Sequence, residues 1–122
     1  MSSLNAGINN QEYFGNPNLE LATTSGAGLR TIVSPSENTG GLIVYLAAAT
    51  SASSSGQCSV STGSSAPTSY TDGVILTICI VSSQNYTSMV KTTYPLFIPA
   101  GNGLYCSHAN GDGRTSIIYE AL

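Results

Sequence analysis

Charge is what this 122-residue chain has least of. Lys, Arg, Asp and Glu together make 7% of it, three basic residues against six acidic ones, where an ordinary soluble domain carries about 25%. Arg30, Lys91 and Arg114 lie far apart, so no row of phosphates is neutralised and nucleic acid is excluded as a partner. Trp is absent, Phe occurs twice and His once. Long apolar runs are missing too: the longest, Val74 to Val81, is interrupted by Thr77. It is well short of the roughly 20 residues that cross a bilayer as a helix, and no membrane partner is expected. Met1-Ser2-Ser3-Leu4-Asn5-Ala6-Gly7 offers neither a cationic start nor an apolar core, so a secretory leader is not expected.

Cysteine is scarce and unpatterned. Cys58, Cys79 and Cys106 are odd in number and show no C-x-x-C spacing, so reduced thiols are expected rather than a disulfide framework. Cys79, inside Ile78-Cys79-Ile80, reads as a small buried hydrophobe. A pair between Cys58 and Cys106 stays open at this point.

What is present is a β chain. The only helix-start signal, Ser34-Pro35-Ser36-Glu37, has the form of a capping box but runs straight into Asn38-Thr39-Gly40-Gly41, so it reads as a turn. Short β-branched and aromatic runs recur between clusters of Gly, Pro, Ser and Asn. They predict strands over Leu29–Val33, Leu42–Ala48, Gln57–Thr62, Val74–Val81, Met89–Tyr94, Leu96–Ile98, Leu104–Ser107 and Thr115–Glu120. The expected fold is all-β: a single antiparallel β-sandwich or jelly-roll-like domain over residues 26–122. Residues 1–25 show neither a helical nor a strand period and are expected to form an extended N-terminal arm. Its apolar anchors are Leu4, Ile8, Tyr13, Phe14, Leu19 and Leu21, expected to lie along a neighbouring surface or subunit.

Two predicted strands depart from the alternation of a half-buried sheet. Val74-Ile75-Leu76-Thr77-Ile78-Cys79-Ile80-Val81 is apolar on both faces, and so is Leu42-Ile43-Val44-Tyr45-Leu46. With no helix to cover an outer apolar face, a second subunit, an arm or a loop must do so. A homo-oligomer is therefore expected, with Leu42, Val44, Tyr45, Ile75 and Val81 on its interface strands.

Groups for catalysis are thin. His108 is the sole histidine, with Cys106 before it and Asp112 after it, a spacing that matches no strong zinc motif. Nineteen serines make a Ser near His108 uninformative, and G-x-S-x-G is absent. The six acids, Glu12, Glu20, Glu37, Asp72, Asp112 and Glu120, are dispersed. No enzyme activity, metal or cofactor is expected. Asn85-Tyr86-Thr87 matches a glycosylation sequon and reads as a loop. The seven tyrosines are mostly ordinary strand residues; Tyr70, Tyr86 and Tyr105, near loops, and Asp72 are candidates for partner contacts.

Toward the C-terminus, Tyr94-Pro95-Leu96-Phe97-Ile98-Pro99-Ala100-Gly101-Asn102-Gly103-Leu104-Tyr105 and the closing Ser116-Ile117-Ile118-Tyr119-Glu120-Ala121-Leu122 resemble the closing hairpin of phage head-decoration and related fibre-base proteins. With the Ser/Thr/Gly/Asn-rich body, the chain is similar to the small virion structural proteins of tailed bacteriophages. The resemblance implies a capsid cement protein, often trimeric, made in the host cytoplasm. Such a protein sits on the capsid surface of the virion and bridges neighbouring major capsid protein subunits. It carries no catalytic residues. The alternatives are a receptor- or carbohydrate-binding module of a phage fibre, with a shallow site at Tyr70, Asp72, Tyr105 and Asp112, and a tail or neck subunit.

Overall fold

The computed structural model describes residues 19–51, 56–80, 88–91, 95–109 and 113–122, and no helix occurs among them. Their strands are β1 (Leu19–Ser25), β2 (Gly28–Val33), β3 (Leu42–Ser51), β4 (Gln57–Gly63), β5 (Val74–Ile80), β6 (Ser88–Lys91), β7 (Leu96–Ile98), β8 (Gly103–His108) and β9 (Gly113–Ala121). One sheet runs β1-β9-β3-β6, with β7 continuing along the same edge of β3, and the other runs β2-β8-β4-β5. All pairings are antiparallel. The pairs β1/β2, β9/β8, β3/β4 and β6/β5 stand in the same order in the two sheets, so four of the connections between the sheets join strands at matching positions. This is the jelly-roll arrangement of a β-sandwich.

The core lies between the sheets. Leu42, Val44, Ala47, Ile117 and Tyr119 come from the first sheet and meet Val33, Val60, Leu104 and Cys106 of the second. Each large aliphatic side chain buried there contributes about 1.5–3 kcal/mol. A small satellite cluster is formed by Ala49, Cys58 and Cys79. Gly113 of the first sheet packs directly against the second: a Cβ there would come within 2.9 Å of the Cys58 Cβ and 3.2 Å of the His108 ring. Only glycine fits without displacing them.

Two β-bulges account for the long apolar runs. In β3 the register against β9 shifts between Val44 and Leu46, leaving Tyr45 as the extra residue. Leu42 and Val44 face inward before the bulge, and Ala47 and Ala49 after it. In β5 the register against β4 shifts so that Thr77 opposes Val60 and Ile75 opposes Ser61, with Leu76 extra. Ile75 and Ile78 thereby share one face, while Thr77 and Cys79 turn inward. Neither strand has two uniform apolar faces.

Several expectations change as a result. Leu42 and Val44, expected at a subunit interface, have no exposed surface and belong to the sandwich core. Tyr45 faces outward and Ile75 is half-buried; Val81 lies outside the described residues. Leu19 and Leu21 are not arm residues, because β1 makes seven register pairs with β9 and forms the edge of the first sheet. The sandwich therefore begins at or before Leu19. Leu4, Ile8, Tyr13 and Phe14 lie outside the described residues.

Candidate functional site

The short strand β7 is bounded by Pro95 and Pro99, which confine it to a sheet edge because proline donates nothing to a ladder. Its alternation sends Ile98 inward, 2% exposed, and Phe97 outward, 61% exposed. Phe97 opposes Ile43. Its ring rests on Gly41, where the backbone has φ +98° and a Cβ would come within 2.7 Å of the ring. On its other side Phe97 rims a cleft of about 310 Å³ opening between the sheets, lined with Val74 and Leu76 from β5, Leu96 and Pro99.

The register carries this apolar surface across the outer face of the first sheet. Leu19, Glu120, Ile43 and Phe97 form one row across β1, β9, β3 and β7, and Leu21, Ile118 and Leu46 form the next. Leu21 is 62% exposed. Tyr45, freed from pairing by the bulge, donates its hydroxyl to Glu120 Oε1 at 2.8 Å, so a hydrogen-bonded carboxylate sits within the first row, between Leu19 and Ile43. That bond, then desolvation, raises the Tyr45 pKa.

Asn38 fixes the end of the molecule beside the cleft. Its Nδ2 donates to the carbonyls of Pro99 and Asn102, both at 2.9 Å, its Oδ1 accepts from Gly41 N at 2.8 Å, and its own carbonyl accepts from Gly101 N at 2.9 Å. This buried amide staples the turn after β7 to the β2–β3 loop. The capping-box sequence before it does form a turn: Ser34 N and Oγ both donate to Glu37 Oε1 at 2.9 Å. The backbone bond from Ser34, then its hydroxyl, lowers the Glu37 pKa.

The outer face of the second sheet is different. Ser59, Ser61, Gly103, Tyr105 and Ser107 point there, and all are buried. Loop 64–73 lies against them: Gly73 sits over Ser61, and Pro67 to Tyr70 face Ser107 across a cleft of about 240 Å³. The Ser59, Ser61 and Tyr105 hydroxyls find no hydrogen-bond partner among the described residues. Tyr105, expected to contact a partner, is instead 1% exposed on the central strand β8, its ring folded over Gly103. Asp72 is exposed, but Thr68 N and Oγ1 donate to its Oδ2 and Gly73 N to its Oδ1, and these bonds lower its pKa. Tyr70 is half-buried on the cleft. Tyr86 and Asp112 lie outside the described residues.

Of the groups weighed for metal or acid–base chemistry, His108, Cys58, Cys79 and Cys106 are buried in the sandwich. Thr24 Oγ1 lies 3.5 Å from His108 Nε2 and 2.6 Å from Thr115 Oγ1, and His108 Nδ1 finds no partner among the described residues. Burial first, and the Arg30 guanidinium second, lower the His108 pKa. Burial raises the Cys106 pKa and pushes Cys58 up to about 11. Among the described residues no three His, Cys, Asp or Glu side chains converge as metal ligands.

Of the residues expected to meet a partner, the structure gathers Leu19, Leu21 and Tyr45 on one surface. Phe97, Val74 and the Asn38 staple were not anticipated there. The signal for Phe97 was its position in a three-residue strand between two prolines. Comparison with protein-family models, with curated proteins and with solved structures finds no match to this chain.

Proposed function

We propose that the chain is a virion structural protein, a capsid cement or decoration protein that docks on the assembled shell as a homo-oligomer, a trimer first, and bridges neighbouring major capsid subunits. The observation that carries this reading is the predominantly apolar surface, broken by Glu120, running from Leu21 and Ile118 through Ile43 and Phe97 into the cleft beside Val74. A monomeric soluble protein rarely leaves such a surface bare, and its residues fit an interface. Docking it buries one carboxylate among these residues, that of Glu120, which already accepts the Tyr45 hydroxyl. The jelly-roll arrangement recurs in capsid and lectin domains alike, so the fold supports the reading by analogy only. The carbohydrate-binding alternative is less well supported: Asp72 spends both carboxylate oxygens on its own loop and Tyr105 is buried.

The test is cryo-electron microscopy of gradient-purified particles from the host that produces the chain, with the recombinant protein assayed in parallel on a glycan array. The reading predicts the jelly roll in many symmetry-related copies on the shell and no glycan signal. Density confined to the tail or neck, absence from the particles, or strong glycan binding without shell attachment contradicts it.

A further inference from the structure

All three cysteines are thiols in this structure. The sheet register ranks their possible pairings. Cys58 and Cys79 are directly opposed on β4 and β5 and pack together beside Ala49. Directly opposed residues of an antiparallel pair have Cα atoms about 4.5 or 5.5 Å apart, within the roughly 4.4–6.8 Å that a disulfide spans. Cys58 and Cys106 are also on neighbouring strands, but Cys58 opposes His108 while Cys106 opposes Val60, so that pair is diagonal. Diagonal neighbours stand about 7–8 Å apart, beyond the ordinary reach of the bond. Cys79 and Cys106 have the whole of β4 between them.

We propose that Cys58–Cys79 is the one disulfide this fold accepts, an oxidisable staple between β4 and the edge strand β5 whose Val74 and Leu76 line the apolar cleft. The oxidant is a small disulfide such as oxidised glutathione. One cysteine thiolate attacks it and releases one glutathione thiolate; the second cysteine then attacks the mixed disulfide and releases the other. Two cysteine S–H bonds are replaced by one S–S bond, and two molecules of reduced glutathione leave with the two protons and two electrons. Because burial disfavours the Cys58 thiolate in the native state, the exchange proceeds as the chain folds or as β5 opens.

The sequence makes the test selective, because cleavage after Arg30, Lys91 and Arg114 leaves Cys58 and Cys79 in peptide 31–91 and Cys106 in peptide 92–114. The full chain is unfolded in urea, refolded in mixed oxidised and reduced glutathione, alkylated under denaturing conditions and digested with trypsin. The proposal predicts peptide 31–91 without alkyl groups and lighter by two hydrogens, and peptide 92–114 alkylated once. The oxidised chain should also melt roughly 10 °C above the reduced one, because the bond closes a loop of about 20 residues. Cys106→Ser should leave closure unchanged, and Cys79→Ser should abolish it. Peptides 31–91 and 92–114 cross-linked to each other, or peptide 31–91 carrying two alkyl groups after oxidative refolding, overturns the proposal.

Discussion

The two sheets turn opposite kinds of surface outward. Toward β7 the first presents Leu21, Ile118, Leu46, Ile43 and Phe97, an apolar patch with its most prominent side chains more than half exposed, before the same face turns polar at Thr23, Ser116 and Arg114. The second presents hydroxyls and glycine along β4 and β8, yet loop 64–73 lies over it and those residues are buried. The face that would gain most from cover lacks it among the described residues, and the face that would hydrate readily has it. On the proposed reading the hydrophobic effect favours a partner on the first face, whereas the second keeps buried hydroxyls at a cost to folding.

Four substitutions or titrations sharpen that contrast through stability. The largest effect belongs to Asn38→Ala, which strips three hydrogen bonds from a buried site and leaves carbonyls of the Pro99 turn unpaired. A loss of about 3 kcal/mol in a urea-unfolding series is expected. Gly73→Val comes next: the residue has φ +86°, which a β-branched side chain rarely adopts, and its Cβ would come within 3.3 Å of the Thr62 carbonyl, so the covering loop lifts. About 2 kcal/mol should be lost in the same measurement. Tyr105→Phe has the opposite sign, because it removes a buried hydroxyl that finds no partner among the described residues, and it should stabilise by roughly 1 kcal/mol. A destabilised Tyr105→Phe protein would mean that the second face is not held as described.

The smallest effect is a dependence on acid. His108 has a lowered pKa in the folded chain, so the unfolded chain takes up the proton first as the pH falls below the ordinary histidine value of 6.5. Its contribution to stability is complete above that pH and is lost as the pH falls toward the folded value. Melting temperature should therefore decline on acidification through this window, and His108→Gln should flatten the decline.

Much of the architecture was legible in the residues, because strands separated by Gly, Pro and Ser clusters need no tertiary information to be seen. What was not legible has identifiable causes. In β1 the large residues Leu19 and Leu21 point outward and the inward positions are Glu20, Ala22 and Thr24, the reverse of the usual pattern, so the segment read as an arm. In β3 and β5 a single bulge changes the inward phase, which no fixed period of two can follow. Tyr105 follows a Gly-rich turn in sequence but occupies the central strand of its sheet, a fact set by long-range pairing with β2 and β4. The apolar surface itself is assembled from four separate strands, so only the register reveals it.

The most direct test of the central claim is the double variant Leu21→Ser, Phe97→Ser, read for melting temperature, sedimentation and attachment to particles. Both side chains are largely exposed, so the account predicts a melting temperature within about 2 °C of the parent, with self-association and particle attachment weakened tenfold or more. A variant that folds equally well and still associates and attaches like the parent would contradict it.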